Sequence, residues 1–383
     1  MLKKPPLGLY VHLPWCVKKC PYCDFNSHAL KAALPEKRYL RALLADLERE
    51  YALAPFSRIR TVFFGGGTPS LFGASTIRAI LDWLEAHGAV DPEAEVTLEA
   101  NPGTVERGSF RAYRDAGVNR VSLGVQSFSD HALQALGRIH SASEAWAAIE
   151  EINAAAVPHF NIDLMFGLPG QSPDEAVDDV RQAISAAPTH VSHYQLTLEP
   201  NTLFHARPPS LPSEEDVWES FRRCGELLAS RGFRRYEVSA YARPGGECRH
   251  NLNYWRYGDY IGVGAGAHGK RTFVAENRIV RSQRTRHPEA FMRPQDCTVE
   301  TAEVAGTDRA FEFMLNSLRL VDGFGDRSFE AATGLDLGCL ARPLQRAREL
   351  GLMERTAAPG WRPTDHGQRF LNDLQAMFLP SSG

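Results

Sequence analysis

Six short runs of apolar and β-branched residues, each followed by a stretch of helical period, set the strongest limit on how this chain can fold. They are LYVHL around Tyr10, TVFF at 61–64, EVTLE at 95–99, RVSLGV at 120–125, HFNIDLM at 159–165 and HVSHYQLTL at 190–198. The helical stretches carry apolar stripes, with Tyr39, Leu40, Leu43, Leu44 and Leu47 along 36–53 and Ile77, Ile80, Leu81 and Leu84 along 74–87. Such alternation predicts a parallel sheet covered by helices, open or curled into a barrel. The polar residues decide for the barrel. Gly65, Gly66 and Gly67 follow the second run, Glu99 and Asn101 the third and Gln126 the fourth, and Asp163 lies late in the fifth. Chemistry in α/β barrels gathers at the carboxyl ends of the strands, and these residues converge only if the sheet curls. The expected class is therefore α/β, a partial (β/α)6 barrel of TIM type.

At 383 residues the chain exceeds one such unit, so two domains are expected: a barrel with its closing segment over 1–290, core about 8–235, and a C-terminal unit over 305–378. From about Tyr236 the sequence turns rich in glycine and aromatics and reads as irregular strand and loop closing one side of the barrel. Lys270, Arg271, Arg278, Arg281, Arg284 and Arg286 form a basic run, read either as a solvated face or as a cradle for carboxylates. Phe311, Met314, Leu315 and Leu318 mark an amphipathic helix. The stretch 338–350, LMERT, WRP and a helix opening at Thr364 and running to Phe378 then suggest a winged-helix-like unit. A net charge of −3 gives no general attraction to nucleic acid. No apolar run approaches the ~18 residues of a membrane span, and the N-terminus is broken too early for a signal peptide, so a cytoplasmic protein is expected.

Cys16, Cys20 and Cys23 lie within eight residues, while Cys224, Cys248, Cys297 and Cys339 are scattered, a pattern suited to a metal site rather than a disulfide framework. The C-x3-C-x2-C triplet offers three thiolates from one loop, one short of a closed four-ligand site. A structural zinc site closed by His12, Asp24 or His28 is the alternative. GGGTP at 65–69 lacks the Lys-Ser/Thr of a phosphate loop. Its glycines allow close backbone approach to a ligand, and its N–H and C=O groups could hold the two ends of an amino acid.

The triplet, with Tyr22 before its last cysteine, resembles the radical S-adenosylmethionine (SAM) superfamily. YVHLPWCVKKCPYCDFNSHAL, FFGGGTPSL, EANPGTV, RVSLGVQSF, LGRIH, FNIDLMFGLPGQ, YQLTLEPNT and HNLNYWRYGDYIGVGAGAHG resemble, in order and spacing, the HemW heme chaperones of the anaerobic coproporphyrinogen III oxidase family. The resemblance covers nearly the whole chain. It implies a radical SAM barrel with a C-terminal unit of the HemN/HemW type, and a [4Fe–4S] cluster held by Cys16, Cys20 and Cys23 with SAM on the fourth iron.

The resemblance also implies site residues. Tyr10 would contact cluster-bound SAM, and Gly66, Gly67 and Thr68 would run along its methionine and sulfonium. Glu99 and Arg138 would take the amino-acid end, Arg138 through a guanidinium fork. Gln126 and Asp163 would take the ribose hydroxyls, with the roles of Glu99 and Gln126 open to exchange. His250 in HNLNY matches the HNxxY motif to which heme binding is attributed in the family, with Cys248 as a competing ligand. The implied partners are heme and acceptor hemoproteins, with an electron donor such as a flavodoxin or ferredoxin if SAM is cleaved. The coproporphyrinogen dehydrogenase branch carries a further cysteine where this chain has Phe25, which points toward the chaperone branch. A dehydrogenase that decarboxylates porphyrinogen propionates is the first alternative. An RNA-modifying radical SAM enzyme is the second, and the pI near 6.5 speaks against it.

Overall fold

The computed structural model describes residues 1–103 and 109–380. Thr104 and Val105 of the EANPGTV motif lie outside the described residues. The six expected strands are present as β1 (Leu7–Leu13), β2 (Ile59–Gly66), β3 (Val90–Ala100), β4 (Arg120–Gln126), β5 (His159–Phe166) and β6 (His190–Gln195). They lie side by side in chain order, all parallel. Between them run α1 (Glu36–Leu53), α2 (Ala74–Ala86), α3 (Phe110–Asp115), α4 (Ala142–Ala154) and α5 (Pro173–Ser185), with α6 (Glu214–Ser230) after β6. Starts are encoded locally: Ser141 with Glu144 and Ser172 with Glu175 form capping boxes at α4 and α5.

Period-two alternation sorts the strands into two faces. Val62, Phe64, Val96, Leu98, Val121, Leu123, Ile162 and Leu164 are buried in the core shared with the helices. The alternate residues point the other way and are polar or aromatic. Phe63 pairs with Thr97, Glu99 with Ser122, and Asp163 with Ser192. One face of the sheet thus builds the core, and the other presents the chemistry.

The barrel is partial, and the segment after Tyr236 differs from expectation. It is regular, and it extends both edges of the sheet instead of closing one side. Beyond β6, β7 (Arg234–Glu237) and β8 (Ala240–Ala242) add antiparallel. Beyond β1, β9 (Asp259–Val263) adds parallel, followed by antiparallel β10 (His268–Phe273), β11 (Arg278–Arg284) and β12 (Val299–Glu303). Glycine-rich turns masked this period in the sequence.

The basic run sits on β10, β11 and the turn after them, and most of it is neither solvated nor free. Lys270 and Arg284 are buried, Lys270 paired with Asp259 at 2.9 Å and Arg284 with Asp46 at 3.3 Å and with Glu50. Arg281 pairs with Glu312 at 2.9 Å.

A second core gathers Phe313, Met314, Phe329, Leu344, Met353 and Trp361. It contains helices Gly306–Ser317, Asp326–Thr333 and Ala341–Glu349 and the hairpin Met353–Arg355 with Gly360–Pro363, a winged-helix-like arrangement. The expected helix from Thr364 to Phe378 is two helices, Asp365–Arg369 and Leu371–Ala376, because Phe370 leaves helical geometry.

Candidate functional site: two adjoining cavities

The cysteine loop leaves β1 at Pro14. It is closed by parallel pairing of Trp15 and Cys16 with His28 and Ala29, and inside it Cys23 N donates to Cys20 O at 3.2 Å. Cys16, Cys20 and Cys23 are half-buried free thiols. All three line a cavity of about 350 Å3, with Gly66, Gly67, Thr68, Glu99, Gln126, Arg138 and Asp163 on its other walls. The fold thus brings together residues from the ends of β2, β3 and β4, from β5 and from the loop after Ala135. Burial and the neighbouring thiols push Cys16 up, and burial pushes Cys23 up, so a metal centre must displace protons to bind there.

The glycine turn works differently from expectation. Gly66 N donates to Glu99 Oε2 at 3.0 Å, Gly67 N to Leu13 O at 2.9 Å and Thr68 N to Trp15 O at 2.8 Å. Those N–H groups are spent within the protein, so they are not donors to a ligand. A side chain at Gly67 would meet Trp15 O at 2.6 Å. The glycine serves the close approach of two backbone segments at least as much as it serves a ligand.

Glu99 is pushed up to about 8 by burial and by the charge of Asp163. Asp163 is also raised by burial, against the pull of hydrogen bonds from Ser192, Asn161 and Ser122. Gln126 adopts a left-handed backbone, φ 71°, where β4 breaks register with β5. Its Oε1 accepts from the Tyr194 hydroxyl at 2.6 Å. Tyr194 lines the cavity and was missed from the sequence, although alternation from His190 and Ser192 places it on the polar face. Arg138 donates to Gly124 O at 2.8 Å and lies 3.6 Å from Cys20 Sγ, and its buried Nε has no partner among the described residues.

Tyr10 does not line this cavity. It belongs to a larger chamber of about 760 Å3 next to it, and Phe25, Gly66 and Glu99 line both. Tyr254, Trp255, Tyr257 and Tyr260 give the chamber aromatic walls, Lys270, Arg281 and Arg286 bring cationic groups, and Leu315 and Asn316 reach it from the C-terminal unit. The Tyr10 hydroxyl bonds His12 Nδ1 at 2.9 Å, and His12 Nε2 bonds Asn26 O at 2.9 Å.

His250 lines neither cavity. It lies on α7 (Arg249–Trp255), whose first N–H groups are received by Glu95: Arg249 N at 3.0 Å and His250 N at 2.9 Å. Its ring stacks on Phe63 at 5.0 Å, with Nδ1 2.8 Å from Thr61 Oγ1 and Nε2 2.9 Å from the Tyr254 hydroxyl. Both nitrogens are engaged, and burial pushes the ring down to about 3, so it is neutral at physiological pH. Cys248 is equally enclosed, its thiol pushed up to about 12 by burial.

Residues 10–183 match the radical SAM superfamily, and residues 304–370 match the HemN C-terminal domain. The heme chaperone HemW of Escherichia coli K12 is 49% identical over 99% of this chain and 100% of its own length, and that of Haemophilus influenzae 46% over 99% of each. The chain belongs to the HemW heme chaperone family. A relative in Bos taurus, the mitochondrial radical S-adenosyl methionine domain-containing protein 1, is 37% identical over 75% of this chain and 66% of its own length. Among solved structures, E. coli coproporphyrinogen III oxidase, a radical SAM enzyme, superposes with a TM-score of 0.80 at 20% identity over 98% of this chain and 90% of its own, a likeness of fold. The partial barrel with an appended C-terminal unit is thus a fold this chain shares with that enzyme.

Proposed function

We propose that this protein binds heme in the larger chamber and passes it to acceptor hemoproteins in the cytoplasm, while the smaller cavity holds a [4Fe–4S] cluster with SAM on its fourth iron. The observation that carries this reading is the pairing of two adjoining cavities, one bearing the three thiols and the other walled by tyrosines and tryptophan beside Arg281 and Arg286. Family membership supports the heme role, and the radical SAM match supports the cluster and SAM.

The residues present suit these groups. Three free thiols from one loop, lining one cavity, suit a cluster held by three cysteines with one iron left open. A cluster held there would supply the electron for any cleavage of SAM. The protein's own part is binding and orientation. Glu99 would receive a cationic amino group, the Arg138 guanidinium would meet an anionic one, and Asp163 and Gln126 would accept from hydroxyls. An ammonium group near Glu99 draws its carboxyl back to the ionised form. The aromatic walls would cover the faces of a porphyrin, and Arg286, which has no ion pair among the described residues, would meet a propionate.

Phe25, more than half exposed and lining both cavities, stands where the dehydrogenase branch has a cysteine, which supports the chaperone reading. The test is anaerobic reconstitution followed by heme titration and transfer to apo-hemoproteins. Saturable binding with transfer is expected. Conversion of coproporphyrinogen III to a decarboxylated product, without heme transfer, would replace this reading with the dehydrogenase.

A further inference from the structure

His250 and Tyr254 stand one turn apart on α7, which places the imidazole against the phenol: His250 Nε2 and the Tyr254 hydroxyl are 2.9 Å apart. Only the tyrosine reaches the chamber, because His250 is enclosed by Phe63, Thr61 and Gly8 behind it. We propose that Tyr254, not His250, is the protein ligand of ferric heme iron, and that His250 is the positioning residue that orients the Tyr254 oxygen.

A tyrosine oxygen is an established type of ligand for heme iron, and a phenolate suits the ferric state, whose charge it offsets. A metal-bound oxygen is strengthened and aimed by a partner hydrogen-bonded to it from outside the coordination sphere. His250 can serve both states of Tyr254 without changing charge. Without heme, Nε2 would accept from the phenol O–H while Nδ1–H donates to Thr61 Oγ1. With the Tyr254 oxygen on iron and its proton released to solvent, Nε2–H would donate to that oxygen and Nδ1 would accept from the Thr61 hydroxyl. Thr61 can act as donor or acceptor, which permits the tautomer change.

The other chamber residues favour this choice. His12 has both nitrogens engaged, by Tyr10 and by Asn26 O. The Tyr260 hydroxyl receives Arg281 Nη1 at 2.7 Å, and Lys270 is paired with Asp259. His268 also lines the chamber, has no hydrogen-bond partner among the described residues and feels the charges of Arg281 and Arg286, and it is the competing ligand. Tyr254 shares its chamber with Glu99, which lines both cavities. The inference rests on the heme reading above and deepens it.

The test titrates hemin and iron-free protoporphyrin IX into the full-length protein and into Tyr254→Phe, His250→Gln and His268→Ala. Ligation is read by the Soret and charge-transfer bands, resonance Raman phenolate modes and ferric EPR. Tyr254→Phe is expected to abolish the phenolate signature and weaken hemin binding about tenfold or more, while protoporphyrin IX binds as in wild type. His250→Gln is expected to keep a phenolate signature, shifted in frequency and weaker in affinity. A wild-type spectrum in Tyr254→Phe would overturn the assignment, as would loss of the axial-ligand signature only in His268→Ala or complete loss in His250→Gln with Tyr254→Phe unaffected. Absence of saturable hemin binding by the wild-type protein would instead sink the heme reading itself.

Discussion

The Arg138 guanidinium lies 3.6 Å from the Cys20 sulfur, so the residue expected at the SAM carboxylate is also a cation beside one of the three clustered thiols. Arg138→Gln keeps a donor for Gly124 O and removes the charge. SAM binding should weaken by about 1.5 to 3 kcal/mol, the worth of a charge-assisted hydrogen bond. The reduction potential of a reconstituted cluster should also become more negative, since a positive charge near the cluster favours its reduced form. Calorimetry and an EPR-monitored redox titration check the two parts, and iron content should stay at the wild-type level.

Glu99 makes SAM affinity and protein stability depend on pH in opposite senses. With its carboxyl pushed up from 4.5 to about 8, the folded protein keeps a proton that the unfolded chain loses, so stability contributed at this site falls as pH rises through that window. Glu99→Gln should therefore gain melting temperature relative to wild type as pH rises from 4.5 to about 8. It should also lose SAM affinity by about tenfold, because a neutral amide cannot pair with an ammonium group. Thermal melts across pH and SAM calorimetry at one pH separate the two effects.

Serine replacement of Cys16, Cys20 or Cys23 should abolish the iron–sulfur absorption shoulder at about 400 nm after reconstitution. Cys339 is exposed and Cys297 half-buried, away from the cavity, so their serine variants should load iron normally. Full iron loading of the triple Cys16/Cys20/Cys23 variant would remove the cluster from this loop.

The larger chamber is braced by Lys270, whose Nζ lies 2.9 Å from Asp259 Oδ1 and 4.1 Å above the Tyr257 ring. Lys270→Met leaves a buried carboxylate without its cation, at an expected cost of about 3 to 5 kcal/mol in unfolding free energy. Adding Asp259→Asn should recover much of that loss, because no unpaired charge then remains. Denaturant titration of the two variants measures the difference.

Local pattern carried much of this protein. The order of β1 to β6, the cysteine loop and the polar residues Glu99, Gln126 and Asp163 were legible, because each is written in a window of a few residues by period or spacing; the capping serines at 141 and 172 are written as locally but were not read. Tyr194 could have been read from the same alternation. The spending of the Gly66, Gly67 and Thr68 N–H groups could not, since their partners are the carbonyls of Leu13 and Trp15 and the Glu99 carboxylate.

What the sequence determined by itself was therefore the fold class, the thiol triplet and the family to which its motifs belong. The tertiary structure alone decided which of those groups face a cavity. His250 is enclosed by Thr61, 189 residues away in the chain, and Arg284 is neutralised by Asp46, 238 residues away. A histidine in a motif and an arginine in a basic run look available in one dimension. Burial and hydrogen-bond satisfaction are properties of the packed neighbourhood, and here that neighbourhood turns the histidine inward and leaves Tyr254 at the chamber wall.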